Sequence, residues 1–541
     1  MLKKTIVLML SFGVTSAHLN GAWQATPTEV APNALINLAA AYSDAGDGLA
    51  VGNTGDSVVS YTFNGATTSW ETPVTLFTGA NGADAVAMDP AGDGLAVYVT
   101  NASSINASRY SFASDTWFDT EGASIELYPV VVDISVTMSP EGNGLATFID
   151  GITGNLFASQ YDGATHTWSD IGGSAVQLSI TTGVIQGAAS LAMDANSSGV
   201  AVWNNLSDVP DNTIQAANYS GSLQAWSNTQ GAAINLSLND AVDNDRNRTV
   251  AMSPNGTGLA VWVSNPGSGN VVQSAWYDGG SWQFTGASAL NISAVGASGA
   301  ASSFPLGLTM DADGNGFAIW SQVVGSTSVA QVAYFNVATQ AWSTPMTLSS
   351  NGADTLSISS LNISFANNGD AIAGWVINNG AEEVAQSAFY NGSTGMWEDT
   401  LSNAIAISDP TESVLTPLSL IANASGNALA VFNQTNGLFS NFFSAPPLQP
   451  SNGTNFVGRA ASDKFLTQID YVNFLSWTAS ADETVIGYYI SVDGAIVANV
   501  LASMPLEAIF HNQRANTSVT YTLTSYNAAG TQSNPLTVTL R

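Results

Sequence analysis

The chain has 541 residues, enough for two or three domains and a large core. It contains no Cys, so no disulfide or thiolate metal site exists in it. Acids outnumber bases by 40 to 9, and within residues 23–444 only Arg109, Arg246 and Arg248 stand against 34 acids. Such a surface repels phosphate backbones and anionic membranes; this excludes nucleic acid as a partner and leaves weak cation binding open to the acidic loops.

Residues 1–22 read as an export signal. Lys3 and Lys4 form the charged end, Thr5 to Val14 the apolar run, and Ala17 or Ala22 the cleavage point. The run is too short to span a bilayer comfortably, no Cys follows it, and no later segment is apolar for long enough to cross a membrane. The expectation is an exported chain, secreted or periplasmic or held at a cell surface, and the short double-Lys signal points to a bacterium.

From there to residue 444 one pattern repeats. A Gly after a turn-forming segment falls at Gly48, Gly94, Gly144, Gly199, Gly258 and Gly316, and becomes Ala at Ala371 and Ala428. These eight copies lie 46 to 59 residues apart. Five positions earlier stands Ser43, Asp89, Ser139, Asp194, Ser253, Asp311 or Asn423. Four positions later, in seven copies, stands an aromatic: Tyr98, Phe148, Trp203, Trp262, Trp320, Trp375 or Phe432. At a fixed repeat position these rings are core packing rather than sugar-stacking platforms.

Each copy has a second half, in which an aromatic is followed by Trp. The pairs are Phe63/Trp70, Phe112/Trp117, Tyr161/Trp168, Tyr219/Trp226, Tyr277/Trp282, Phe335/Trp342 and Tyr390/Trp397. Turn pairs such as Asn64-Gly65, Asp162-Gly163 and Asp278-Gly279 lie between them, a strong hairpin signal. Two hairpins make four strands per copy, the signature of a β-propeller. The eighth copy, ending near Phe443, has no Trp strand, while Trp23-Gln24-Ala25-Thr26-Pro27 supplies one at the other end of the array. The expectation is an all-β chain with an eight-bladed β-propeller over residues 23–444, closed by its N-terminal strand.

Five of the seven pairs show an aromatic, six residues and then Trp, as in Tyr161 to Trp168. This spacing resembles the kelch class of propeller. Kelch's paired glycines are absent from the second strand, where runs such as Leu49-Ala50-Val51 stand instead. The resemblance implies architecture and no catalytic residues.

Residues 445–451 are Pro-rich and read as a stiff linker. Beyond them a different pattern begins: Trp477, then Gly487-Tyr488-Tyr489-Ile490, then Tyr521-Thr522-Leu523 running on to Asn527 and Gly530. Residues 452–541 thus resemble a fibronectin type III domain, which implies a β-sandwich serving as a spacer or accessory binding module.

Chemistry is sparse. His18, His166 and His511 are dispersed, and no nucleophile elbow, phosphate loop or His cluster is present, so no catalytic residue is assigned. No cofactor is called for. Asp311, Asp313 and Asn315 resemble the start of a calcium loop, but its twelfth position is Gln322 rather than Glu. The turn reads first as a self-bonded β-turn and second as a weak calcium site.

One segment breaks the repeat, Asn239-Asp240-Ala241-Val242-Asp243-Asn244-Asp245-Arg246-Asn247-Arg248. It enters the innermost strand of one repeat, and Asp208 and Asp211 occupy the neighbouring connection. Glu382 and Glu383 occupy the matching connection of a later repeat. Asp208, Asp211, Asp240, Asp243, Asp245, Arg246 and Arg248 are therefore the candidate binding residues; the bland reading is a solvated loop with weak ion pairs. The leading expectation is a non-enzymatic binding or adhesion protein whose propeller face recognises an extracellular glycan or protein. The alternatives are an extracellular carbohydrate-active enzyme, hydrolase or lyase, using loop carboxylates, and a structural envelope or matrix component.

Overall fold

The structure is a computed structural model. It describes residues 22–100, 103–180, 185, 187–208, 211–238, 247–265, 269–295, 306–324, 327–350, 357–366, 368–378, 380–445, 452–464, 469–480, 485–511, 513–515, 517–527, 532–533 and 535–541. Two compact units divide the chain, with Trp23–Ser444 as one and Ala445–Arg541 within the other.

Where the repeated turn begins with Asp, its carboxylate closes it. Asp89 Oδ1 accepts the backbone N–H of Gly92 at 2.8 Å and of Asp93 at 2.9 Å. Asp311 Oδ1 does the same for Asp313 at 3.0 Å and Asn315 at 2.8 Å. The side chain thus replaces a backbone acceptor and closes the turn. The residue two before the repeat's marker sits at positive φ, +105° at Gly92 and +92° at Gly314, which favours Gly there. Ser197 takes that place in the fourth copy, at +59°.

Each turn joins the first two strands of an antiparallel sheet. The third sheet shows the pattern: Val131–Met138, Gly144–Asp150, Leu156–Asp162, Thr167–Ser169, with Val176–Gln177 beside the third strand. Among the described residues 22–444 form eight such sheets, each of five strands. The fifth strand departs from the four expected. The third strand is longer than the Trp strand beside it: Tyr161 pairs with Trp168, and Phe157, farther back, pairs with Gln177.

A second correction concerns the second sheet. Trp117 pairs with Tyr110, not with Phe112. Phe112–Ser114 is a turn of 3-10 helix ended by Asp115 in the left-handed region, and Phe112 is exposed. The aromatic-to-Trp spacing there is the same as at Tyr161 and Trp168.

The first strands of the eight sheets touch in a closed cycle, that of the last sheet (Val414–Ala422) meeting that of the first (Ile36–Tyr42). This arrangement is a β-propeller. Ala22–Trp23 and Thr28–Ala31 both pair with Gly437–Ser444, so the N-terminus completes the last sheet. Trp23 lies 5.4 Å from Phe443 between ring centroids. Asn433 receives Leu35 N–H at 2.9 Å and donates to Leu35 O at 2.7 Å.

Packing between sheets explains the marker glycines. A Cβ on Gly94 would lie 2.6 Å from Leu49 Cδ1, and one on Gly48 would lie 2.9 Å from Leu429 Cδ2, so at these joints the Leu of one sheet presses on the marker Gly of the next. The aromatics four residues on are buried: Trp203, Trp262 and Trp375 are wholly inaccessible. Inner-strand hydroxyls link neighbours, with Ser190 Oγ accepting from Val250 N at 3.1 Å and Ser364 Oγ from Ala422 N at 2.9 Å.

The other unit has a three-stranded sheet (Thr454–Lys464, Ile469–Thr478, Glu507–Phe510) and a four-stranded one (Ala495–Leu501, Val485–Val492, Val519–Asn527, Leu536–Leu540). One core holds them, built on Trp477, Tyr488, Ile490, Tyr521 and Leu523. Asn473 Nδ2 donates to the buried Tyr521 hydroxyl at 3.0 Å. No helix among the described residues is long and apolar enough to cross a membrane.

Candidate functional site

The propeller presents two faces. One carries the turns of both hairpins in the first seven sheets and of the first hairpin in the last. The two turns are tied: Asp47 Oδ1 accepts from Gly65 N at 3.0 Å, Asn143 Oδ1 from Gly163 N at 3.0 Å and Asp370 Oδ1 from Gly392 N at 2.8 Å. The residue before the marker is thus a structural cap, a role not read from the sequence.

The opposite face carries the connections between second and third strands and those between sheets. Its lengths are uneven. Residues 178–189, 236–247 and 292–305 stand between the described strands that flank the entries to the fourth, fifth and sixth sheets, and of these 181–184, 186, 239–246 and 296–305 lie outside the described residues, whereas residue 79 alone leads into the second sheet and residues 129–130 into the third. Long loops on a rigid ring are where binding residues concentrate.

The charged segment is the middle one of the three. Asp240, Asp243, Asp245 and Arg246 lie outside the described residues. Asp208 and Asp211 face one another as partners at the end of the hairpin Gly199–Asp208 and Asp211–Ser220. Glu383 begins a third strand opposite Asn378, and the carboxylate of Glu382 accepts the hydroxyl of Ser413.

Arg248 begins the inner strand of the fifth sheet and is turned inward. Its Nη2 donates to Gly187 O at 2.8 Å and also to Ala188 O. The fourth sheet's inner strand is short, Ser190–Met193, and Arg248 takes up carbonyls just before it. Asp133, on the inner strand of the third sheet, is the nearby anion. Burial pulls the Arg248 pKa down to about 10 and Asp133 opposes the fall. Burial raises the Asp133 carboxyl, with the Ala188 N–H and Arg248 acting against it. Arg248 therefore ties the fifth sheet's inner strand to the segment entering the fourth, with Asp133 of the third as the countercharge nearby.

At the sixth sheet's turn, Asp311 Oδ2 accepts from Asn315 Nδ2 at 2.9 Å while its Oδ1 closes the turn. Asn315 Oδ1 accepts from Val337 N at 3.1 Å. These side-chain atoms serve the two hairpins. Among the described residues no group of three or more His, Asp or Glu is placed to hold a metal ion.

The turn face holds two neighbouring clefts. Asp93, Arg109, Tyr110, Glu141, Tyr161 and His166 line one of about 90 Å³ between the second and third sheets. Gln160, Tyr161, Asp162, Thr167, Tyr219 and Gln224 line one of about 180 Å³ between the third and fourth. Tyr161 belongs to both. Its hydroxyl lies 3.2 Å from His166 Nδ1, and burial pushes its pKa up to about 12. The Tyr219 hydroxyl donates to Gln160 Oε1, and Gln160 Nε2 donates to Asp170 Oδ2 at 2.6 Å. Arg109 Nε lies 3.3 Å from Asp119 Oδ2, and its guanidinium lies 4.0 Å from the centroid of the Phe118 ring.

No protein-family model and no curated protein matches the chain. Similar solved structures include an ulvan lyase, a polysaccharide lyase, at 8% identity and a TM-score of 0.45, over 70% of this chain and 97% of its own. The hydrazine synthase of Kuenenia stuttgartiensis aligns at 10% identity and a TM-score of 0.40, over 77% of this chain and 97% of its own. The fucose-recognising lectin of Aleuria aurantia, a six-bladed β-propeller, aligns at 11% identity and a TM-score of 0.34, over 60% of this chain and 96% of its own. At these identities no activity passes from them to this chain, which stands as an all-β propeller protein on the order of its own sheets.

Proposed function

We propose that the chain is an exported, non-enzymatic binding protein. Its eight sheets are the blades of an eight-bladed, kelch-like propeller closed by the N-terminal strand. A fibronectin type III-like sandwich follows as spacer or accessory module. The propeller recognises an extracellular glycan or protein on the face that carries the uneven connections. The carrying observation is the run of three long stretches of sequence between the described strands of consecutive sheets, with the charged segment 239–248 at the middle one. Asp208, Asp211, Asp240, Asp243, Asp245 and Arg246 contact the ligand there, and Arg248 holds the base of the segment.

The test is binding of purified residues 23–541 to an array of extracellular glycans, with calcium and with chelator, beside a variant carrying Asp240→Asn, Asp243→Asn and Asp245→Asn. Binding that the variant loses supports the reading. Loss in chelator assigns the acidic loops, or Asp311, Asp313 and Asn315, to calcium. Released saccharide product turns the reading toward a carbohydrate-active enzyme. A blank array in both conditions removes the glycan and leaves a protein partner, sought by pull-down with the same variant as control.

A further inference from the structure

We propose that the paired clefts on the turn face, opposite the uneven connections, form a second site, which takes a neutral saccharide. One pyranose ring sits in the larger cleft, and the substituents of its neighbour reach past Tyr161 into the smaller one.

Size comes first. A protein cavity of about 150 Å³ takes up a benzene ring. The larger cleft, at about 180 Å³, therefore accepts one six-membered ring and little more. The smaller, at about 90 Å³, accepts a hydroxymethyl or hydroxyl group. Tyr161 lines both, and the proposed ligand spans the two across it.

Chemistry comes second. Gln160 is held on both sides, accepting from Tyr219 and donating to Asp170 at 2.6 Å. A primary amide has two N–H donors and two carbonyl lone pairs, so after those bonds it has one more of each to offer. A donor and an acceptor on one fixed amide match a vicinal pair of sugar hydroxyls, and fixing them beforehand lowers the ordering cost of binding. Tyr161 and Tyr219 are buried against Trp168 and Trp226, so they fix the cleft's floor while the polar side chains meet the sugar. The rest of the lining is largely polar, with Asn143, Asp162, Thr167 and Ser169 beside Gln160, which suits a hydroxyl-rich ligand.

Placement comes third. His166 is the one imidazole of residues 23–444, and Arg109 is one of their three basic groups; both line the smaller cleft. In other sheets the same left-handed turn position holds Thr68, Asp115, Gln224 or Gln340. Glu141 and Asp93 share the cleft with Arg109 and the His166 imidazole, so it offers both donors and acceptors. Hydroxyls suit that mixture. A uronate or sulfate meets the acids of the cleft and of a chain with a formal charge of -31.

The experiment titrates residues 23–541 with methyl glycosides and disaccharides of glucose, galactose, mannose and xylose, and with glucuronate, by calorimetry or saturation-transfer NMR. Three variants run beside it: Gln160→Met, Thr167→Trp and the loop-face triple Asp240→Asn, Asp243→Asn, Asp245→Asn. Thr167 is an exposed strand residue at the cleft mouth, so Thr167→Trp fills the cleft without entering the core. A neutral sugar should bind, glucuronate should not, and affinity should fall about tenfold or more in Gln160→Met and Thr167→Trp but not in the triple variant. Should Gln160→Met fail to fold, Thr167→Trp decides. Binding of no neutral sugar, or wild-type affinity in Thr167→Trp, overturns the proposal. Sugar binding lost only in the triple variant also overturns it, while leaving the loop-face reading standing.

Discussion

The indole Nε1 of Trp70 donates to Ser440 Oγ at 2.8 Å, joining the first sheet to the last. Trp342 makes the same bond to Ser274, also at 2.8 Å, between two interior sheets. The joint where the ring closes thus has the same bond as the joint between the fifth and sixth sheets. Ser440→Ala and Ser274→Ala should each cost about 1–3 kcal/mol, because each leaves a partly buried indole N–H without its acceptor. Equal shifts in denaturant midpoint are expected; a far larger shift for Ser440→Ala would mean the closing joint is the weak one.

Gly94 tests the contact between sheets. Its missing Cβ is what admits Leu49. Ala371 and Ala428 carry a methyl at the same repeat position and are fully packed, so Gly94→Ala is expected to be tolerated within about 1 kcal/mol. Gly94→Val should cost about 1–3 kcal/mol through overpacking. Thermal melts of the two variants give the comparison.

Asp370 tests the cap. It accepts from Gly392 N at 2.8 Å and from Asn368 Nδ2 at 2.7 Å. Asp370→Ala should cost about 1.5–3 kcal/mol, the worth of a bond to a charged group. Asp370→Asn should retain most of the stability, since Asn143 and Asn315 hold the equivalent place with the same acceptor geometry. Hydrogen exchange at the Gly392 amide reads the loss directly.

Arg248 tests the tie. Arg248→Met leaves Asp133 and the carbonyls of Gly187 and Ala188 without their cation and should cost about 3–5 kcal/mol. Adding Asp133→Asn should restore part of it, because the uncompensated charge is then gone. Additive losses in the double variant would refute the coupling.

The pH dependence has a definite sign. Burial raises the carboxyls of Asp89, Asp133, Asp194 and Asp370 above the ordinary 3.8. These groups bind protons more readily when folded, so stability rises as pH falls from neutral through their folded pKa values. Asp162 and Asp278 are lowered, chiefly by the backbone N–H groups of Thr165 and Ser281, and their contribution is present above 3.8 and lost below it. The melting temperature should hold or rise from pH 7 to about 4.5 and drop below about 3.5, with relief of anionic self-repulsion acting the same way. A steady fall from neutral pH would contradict this balance.

The turn residues and the aromatic-to-Trp pairs made the propeller legible, because each works within one hairpin. What stayed hidden depends on juxtaposition or on very short elements. The strand Val176–Gln177 has two residues, too few for any periodicity. Tyr110 was masked by Phe112, whose type fits but whose 3-10 turn points it outward. The clefts join Arg109 to His166 and Gln160 to Tyr219 across separate sheets, which no local pattern encodes. Arg248 stood out by charge, yet its partners are backbone carbonyls about sixty positions back, invisible to a reading of side chains alone.

Because the first strand completes the last sheet, the ring cannot shut until the whole array has been made. Asn441 reaches Gln24 across 417 positions of sequence, far beyond any hairpin. Loop-closure entropy grows only slowly with length, but the delay it imposes on folding is large. Until that moment the strand Gly437–Ser444 is an unpaired edge, open to pairing with another chain. A circular permutant that carries residues 22–31 directly after residue 444 would turn the longest-range contact of the propeller into a neighbouring hairpin. It should refold faster and aggregate less than the natural order while keeping the same ring.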